Sequence, residues 1–440
     1  MINFKKTLLV TVSALAISTP SIAAKAKVEE KKLPVVSDVK IDFSAYADFQ
    51  AGLRKQTKTV AGERNVSNHR RGFAFYNSTA LMAKISNKVN DVEYGAKIAV
   101  VPTAKRKSGA SYDGSHIFLE SDYGRFEAGS PFSAASMMVV DAGDIGAGAG
   151  NNWSRYVNTN IGHLKGNSNV EPSFATNVDF VLDDKLTTSL DNRSYTTEPP
   201  RSIAYYTPKF ALTESTKVQV GASYTPDSSN TGADSLTKNS SGTETKTIDD
   251  GGAINKFVLD STVKNAVTGG VSIEQNIADG VDLKVAFTGE AGKSAGSVKQ
   301  YATANDADPQ TTSLKGLRTY NIGTVLNVGN FSYAGSYGSL GKSLTSPLFH
   351  KTGRKTSYCI GAVAYKQGPF AVSVSYFKGT KFKNKTDAVS VGTNYQLAPG
   401  FKPYAQITSF TLKGRPEYNP ELPKKTTRGT VALIGAKLSL

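Results

Sequence analysis

Between residues 39 and 49 the chain alternates. Val39, Ile41, Phe43, Ala45, Ala47 and Phe49 fall on one face, and Lys40, Asp42, Ser44, Tyr46 and Asp48 on the other. A period of two over this length predicts a strand with one apolar and one polar face. The span matches the roughly nine to eleven residues that a tilted strand needs to cross a bilayer. The pattern recurs to the end of the chain and predicts hairpins: 73–86 with 92–101, 115–120 with 125–129, 202–208 with 217–225, and 266–277 with 281–288. Further on come 318–328 with 331–337, 357–365 with 370–377, 388–397 with 401–412, and a last strand at 427–440. The strands number about sixteen, an even count as in bacterial membrane barrels.

The connections sort themselves. Tight turns such as Ala278-Asp279-Gly280, Gly329-Asn330 and Ala398-Pro399-Gly400 alternate with long polar stretches at 226–255, 289–316, 338–356 and 413–426. Short turns on one rim and long loops on the other describe a membrane barrel, with the turns and both termini periplasmic. Closure removes strand edges that lipid could not satisfy. The expected fold class is all-β, a transmembrane antiparallel β-barrel of about sixteen strands.

One stretch, 124–158, breaks the alternation. Pro131 ends a short strand, and the residues after it are small and glycine-rich, with acids at Asp141 and Asp144 and a Trp at 153. A long irregular segment in a strand-rich chain is commonly functional. It reads as a third loop, about 131–200, folded into the lumen and presenting Asp141, Asp144 and Arg155. Strand parity assigns Arg54, Arg70, Lys84, Lys97, Arg125 and Lys284 to the pore wall, together with the acids Asp48, Glu93, Glu127 and Asp282. Val285 faces lipid and Ala286 the lumen on the same rule. A basic wall opposite an acidic loop is a means of ion selection.

Composition changes this picture little. Mean hydropathy is −0.29, because a barrel averages a lipid face with a polar lumen. Net charge is +16, but Lys and Arg are dispersed rather than gathered in a stripe, so nucleic acid is not an expected partner. Lys5 and Lys6 precede a short apolar run at 7–18 and small residues at 21–26, the form of a secretory signal peptide. The expected organisation is a signal peptide at 1–24, a periplasmic tether at 25–38 and a barrel at 39–440. Cys359 is the only cysteine. The four histidines lack metal-ligand spacing, and no Gly-x-Ser-x-Gly elbow occurs. Asp141, Asp144, Asn151 and Asn152 offer oxygens that suit Ca²⁺, but not at EF-hand spacing. Neither catalysis nor a cofactor is expected.

HIFLESDYGRFEAGS at 116–130, RSIAYYTPKF at 201–210, DAVSVGTNYQLAPGFKPYAQITSF at 387–410 and the terminal VALIGAKLSL resemble segments of the Gram-negative outer-membrane general porins. That family consists of sixteen-stranded trimeric barrels whose third loop narrows the pore. The resemblance implies passive diffusion of ions and small hydrophilic solutes through a homotrimer in the outer-membrane bilayer. One departure is the last residue: the family usually ends in Phe, and this chain ends in Leu440, although Ile434, Ala436 and Leu438 keep the alternation. Two other readings stand beside it: a barrel serving mainly as an adhesin or structural surface protein, and a secreted soluble β-rich domain.

Overall fold

The computed structural model describes residues 39–57, 72–101, 111–159, 199–229, 243–250, 253–260, 262–301, 310–345, 355–381, 383–414 and 424–440. The expected signal peptide and tether, Arg70, and 160–198 of the expected inner loop lie outside these residues.

Alternation becomes strand as anticipated. The staves are β1 Lys40–Gln56, β2 Phe73–Val89, β3 Val92–Val101, β4 Ser111–Ser121 and β5 Gly124–Gly129. Stave β6 comes in two pieces, Ser202–Tyr206 and Phe210–Thr213, and is followed by β7 Thr216–Asp227, β8 Val263–Ala278 and β9 Val281–Ser294. Then come β10 Leu317–Val328, β11 Phe331–Gly341, β12 Thr356–Gln367, β13 Phe370–Lys381, β14 Asn384–Tyr395, β15 Phe401–Gly414 and β16 Lys425–Ser439. The break in β6 falls at Pro208, which has no N–H to give to a ladder. Each stave pairs antiparallel with its sequence neighbours. The last pairs with the first, from Tyr46↔Ser439 to Gln56↔Gly429, which closes a sixteen-stave barrel.

The tight turns explain the register. Val89 pairs directly with Val92, so Asn90 and Asp91 form a two-residue hairpin turn with φ of 47° and 65°. Such turns need left-handed backbone at both positions, which Asn and Asp tolerate.

The barrel is inside-out relative to a soluble protein. Phe43 is 79% exposed and Ile434 66%, whereas Gln50, Thr268 and Thr408 are buried. Apolar side chains therefore cover the outer face, and polar ones turn inward. Toward the tight-turn rim the outer face carries Tyr94, Phe331, Tyr365, Phe370 and Tyr395, an aromatic girdle; the rings of Phe331 and Tyr365 lie 4.9 Å apart.

Two connections expected to be loops are partly strand. Thr243–Asp250, Ala253–Asp260, Ser297–Tyr301 and Gln310–Ser313 form a second antiparallel sheet. Its central pairing joins Lys256–Leu259 to Val298–Tyr301, so the connection between β7 and β8 is tied to the one between β9 and β10. The sequence hints at this: Gly251-Gly252 separates two stretches that pair as a hairpin.

Candidate functional site: the pore lining and its inner loop

After β5 the chain folds back along the inner wall. Ala134–Met138 is a one-turn helix (α1) capped by Ser133, whose hydroxyl accepts the Ser136 N–H. The N–H groups of Ala134 and Ala135 donate to Ser223 on β7 (3.0 Å) and Thr268 on β8 (3.3 Å). Val140 then packs against Ala286 on β9 and Val325 on β10. The fit is close because Gly323 lacks a side chain: a Cβ there would fall on the Val140 carbonyl oxygen. Next, the Ala147 N–H donates to Ser373 on β13 (2.8 Å) and the Ala149 N–H to Gln406 on β15 (2.8 Å). Lys437 on β16 donates to the Gly148 carbonyl (3.0 Å). The loop thus runs along the wall from β7 round to β1, always on the face opposite the apolar band. Small inward residues at Ser223, Thr268, Ala286, Gly323, Ser373 and Gly392 make room for it.

The stretch from Ala149 to Asn158 is locked by an apolar core and a polar network. Trp153 stacks on Phe410 with ring centroids 5.7 Å apart, and Tyr156, Val157, Leu412, Val431 and Leu433 join the same cluster. Beside it Tyr404 donates to Asp48 (2.7 Å), while Asn152 donates to both Asp48 and Gln50 (3.2 Å each). Gln50 donates in turn to the Tyr156 hydroxyl (3.2 Å). Gln56 both donates to and accepts from the Asn158 backbone.

Up to Thr159, hydrogen bonds tie the loop to β7, β8, β13, β15, β16 and β1, and charges gather farther along the wall, on β3 to β5 and the Lys84 end of β2. Lys84 Nζ, Lys97 Nζ and Arg125 Cζ lie 5.0, 5.9 and 4.9 Å from the ring centre of Phe118, a buried inward aromatic on β4. Cations at such distances are attracted by the ring's face. Carboxylates interleave with them. Lys84 pairs with Glu93 at 2.5 Å, and Arg125 pairs with Glu120 at 3.0 Å and Glu127 at 2.7 Å. His116 Nε2 lies 3.6 Å from Glu127. Lys97 has no ion pair among the described residues. The expected basic wall is therefore a compensated cluster of three cations and three carboxylates.

The other expected site residues take separate places. Asp144 is exposed, as expected for a loop charge. Asp141 differs: it is buried, and its carboxylate accepts the Gly143 N–H (2.7 Å) while Asp144 accepts the Asp141 N–H (3.2 Å). The two acids form a capping box on the 3₁₀ turn Ala142–Asp144, so Asp141 shapes the loop rather than facing open lumen. Arg155 is exposed and sits 4.3 Å from the ring centre of Tyr76 on β2. Arg54 holds the loop, donating to the Tyr156 carbonyl (3.0 Å). Lys284 stands near the Gly280 turn, 3.7 Å from Glu274, which also pairs with Lys209. Asp48 is inward but buried in the locking network, and Ala286 is inward but covered by Val140. Sequence reasoning missed Phe118, Lys437, Gln406 and the Trp153 core. Its available signal was inward apolar parity at Phe410, Leu412, Val431 and Leu433, where a lumen should be polar.

A model of the Gram-negative porin family matches residues 10–415. An uncharacterised protein of Rickettsia felis is 40% identical over 450 residues, covering 98% of this chain and 99% of that one. An uncharacterised protein of Rickettsia prowazekii is 40% identical over 447 residues, covering 96% and 98%. Among solved structures, the anion-selective porin from Comamonas acidovorans superposes with a TM-score of 0.52 at 11% identity, over 92% of this chain and 100% of that one. At that identity the likeness speaks for the fold alone. Family and fold point to a channel rather than an enzyme. With a closed barrel, an apolar outer face and a family match over nearly its whole length, the chain belongs to the Gram-negative porins of the outer membrane.

Proposed function

We propose that the barrel is a water-filled channel for passive diffusion of ions and small hydrophilic solutes, exported by a signal peptide cleaved near residue 24 and assembled as a homotrimer. The observation that carries this reading is the course of the loop. Its described part, up to Thr159, runs along the wall, and the charged cluster of Lys84, Lys97 and Arg125 lies on a different stretch of that wall. Exposed Asp144 on the loop, with Lys84, Lys97 and Arg125 on the wall, supplies opposed charges across an aqueous gap. Such a transverse field favours small polar solutes over bulky apolar ones. Charges farther than about 8–10 Å from the narrow zone are screened at physiological salt. The cluster itself balances, and the chain's net charge of +16 points to a weak anion preference, with Lys97 the cation of the cluster that has no ion pair among the described residues.

A second reading is a surface contact protein, and the second sheet built from two long connections favours it. Liposome swelling separates the two. Proteoliposomes placed in isosmotic solutions of sugars of increasing size should swell at rates that fall with solute size. Swelling no faster than in protein-free liposomes would leave only the contact role.

A further inference from the structure

On the tight-turn side of the inner loop lies a group of lysines separate from the charges around Phe118. Lys217 on β7, Glu274 on β8 and Lys284 on β9 stand directly opposite one another in one row, which continues to Val325 on β10. The row faces inward, since Val218, Ile273, Gln275, Leu283 and Val285 take the outward positions beside it. The next inward row toward the long-loop rim holds Ser272 and Ala286, and Val140 of the loop packs on Ala286 and Val325. The lysine row therefore sits immediately below the loop, where a solute that has passed it arrives next.

A fourth side chain reaches in from the break in β6. Thr207, Pro208 and Lys209 face only Gln219 and Val220 of β7, between the pairs Tyr206↔Gly221 and Phe210↔Val218. One extra residue in one strand is a β-bulge, a feature that re-aims a side chain. Here it sends Lys209 across β7 to Glu274, whose two carboxylate oxygens accept from Nζ at 2.9 and 2.7 Å. Glu274 is thereby engaged. Lys284 stays 3.7 Å from it, and Lys217 makes no ion pair among the described residues. Asp282, the next inward residue toward the turn, accepts the Asn276 amide at 3.1 Å, and Glu214 and Asp279 lie in the turns themselves. Three lysines thus surround one carboxylate, and all three are exposed.

We propose that Lys217 and Lys284 bind a small dicarboxylate as it leaves the pore on the tight-turn side. Two strand spacings, about 10 Å, separate the two backbones, and the flexible lysine stems place one ammonium group at each end of such a solute. Lys209 keeps the site cationic by holding the one carboxylate that would otherwise neutralise it. The site rests on the channel reading and adds to it a station beyond the loop.

The test is single-channel recording of the mature barrel in a planar bilayer at about 0.1 M salt, where screening leaves charges effective over about 10 Å. Succinate, added to one chamber at a time, should reduce the chloride current at a lower concentration from one side than from the other. Acetate at the same concentration should reduce it less. Both effects should fade near 1 M salt, where screening is complete within about 3 Å. K217Q and K284Q should each raise the half-blocking concentration about fivefold, the effect of a unit charge about 4 Å away in water. K209Q should raise it similarly, because Glu274 is then free to pair with Lys217 and Lys284. E274Q should lower it by about the same factor. K209Q/E274Q should return it to the native value, which a merely structural role of the Lys209–Glu274 pair would not do. Equal block from both chambers, equal block by acetate, native block in both K217Q and K284Q, or a K209Q/E274Q variant no better than K209Q would each overturn the proposal. Absence of conductance steps would defeat the channel reading itself and the site with it, whereas steps that succinate leaves untouched would defeat the site alone.

Discussion

Replacing Phe410 by Ala removes the ring on which the loop's Trp153 rests. Both side chains are 2% exposed, and the rings stack at 5.7 Å with an interplanar angle of 27°. Truncating a buried Phe costs about 3–5 kcal/mol, the lost transfer energy plus the cavity left behind. Phe410 points into the lumen, so the β15 ladders to β14 and β16 are untouched. The loss therefore falls on the equilibrium between docked and lifted loop. At 1.4 kcal/mol per decade, the lifted population rises by a factor of about 10³. Trp153 is the only tryptophan, so its fluorescence reports the docking directly. In the native protein the indole should be shielded from acrylamide. In Phe410→Ala it should shift to the red and become quenchable, and the single-channel current should grow noisier. Heat-modifiable mobility should persist, because the barrel remains closed. Unchanged quenching and unchanged current noise would refute the view that this stack holds the loop in the pore.

Selectivity should respond to the open charges and not to the buried one. Asp144→Asn should raise anion preference and Lys97→Ala should lower it, each by about twofold in permeability ratio for a unit charge near 8 Å in water; reversal potentials across a salt gradient report the shifts. Asp141→Asn should add current noise and leave the reversal potential in place, since its carboxylate caps the turn. Val285→Arg should destabilise the barrel by about 2–4 kcal/mol if it lies near the bilayer midplane, measured by denaturant unfolding in vesicles. Ala286→Arg should instead displace the loop at Val140 and alter conductance, because that inward site is already filled.

The barrel was legible because its physics is local. Alternation at 39–49 and the Asn90-Asp91 and Gly280 turns each state a strand or a reversal without help from the rest of the chain. The inner loop was legible as an interruption, through Pro131 and the glycines beyond it, but its course was not. That course depends on partners hundreds of residues away, such as Ser373 and Gln406, and on Gly323, which reads in sequence as one more small residue. Parity put Lys84, Lys97 and Arg125 on one face, and all three lie within 6 Å of the Phe118 ring centre. It did not show that Glu93, Glu120 and Glu127 would interleave with them, because cross-strand register decides which charges meet. Asp141 looked like its neighbour Asp144; only the turn geometry separates a capping acid from an exposed one. The inward Phe410, Leu412, Val431 and Leu433 broke the rule of a polar lumen, and that breach marked where the loop would sit.

The central claim is an aqueous pore through the closed barrel beside the wall-bound loop. Its most direct test is single-channel recording of the mature protein in a planar bilayer. A water-filled channel should give discrete, long-lived conductance steps that scale in proportion to the conductivity of the bathing salt. A folded, membrane-inserted barrel that gives no steps, or steps that saturate at low salt, would contradict it.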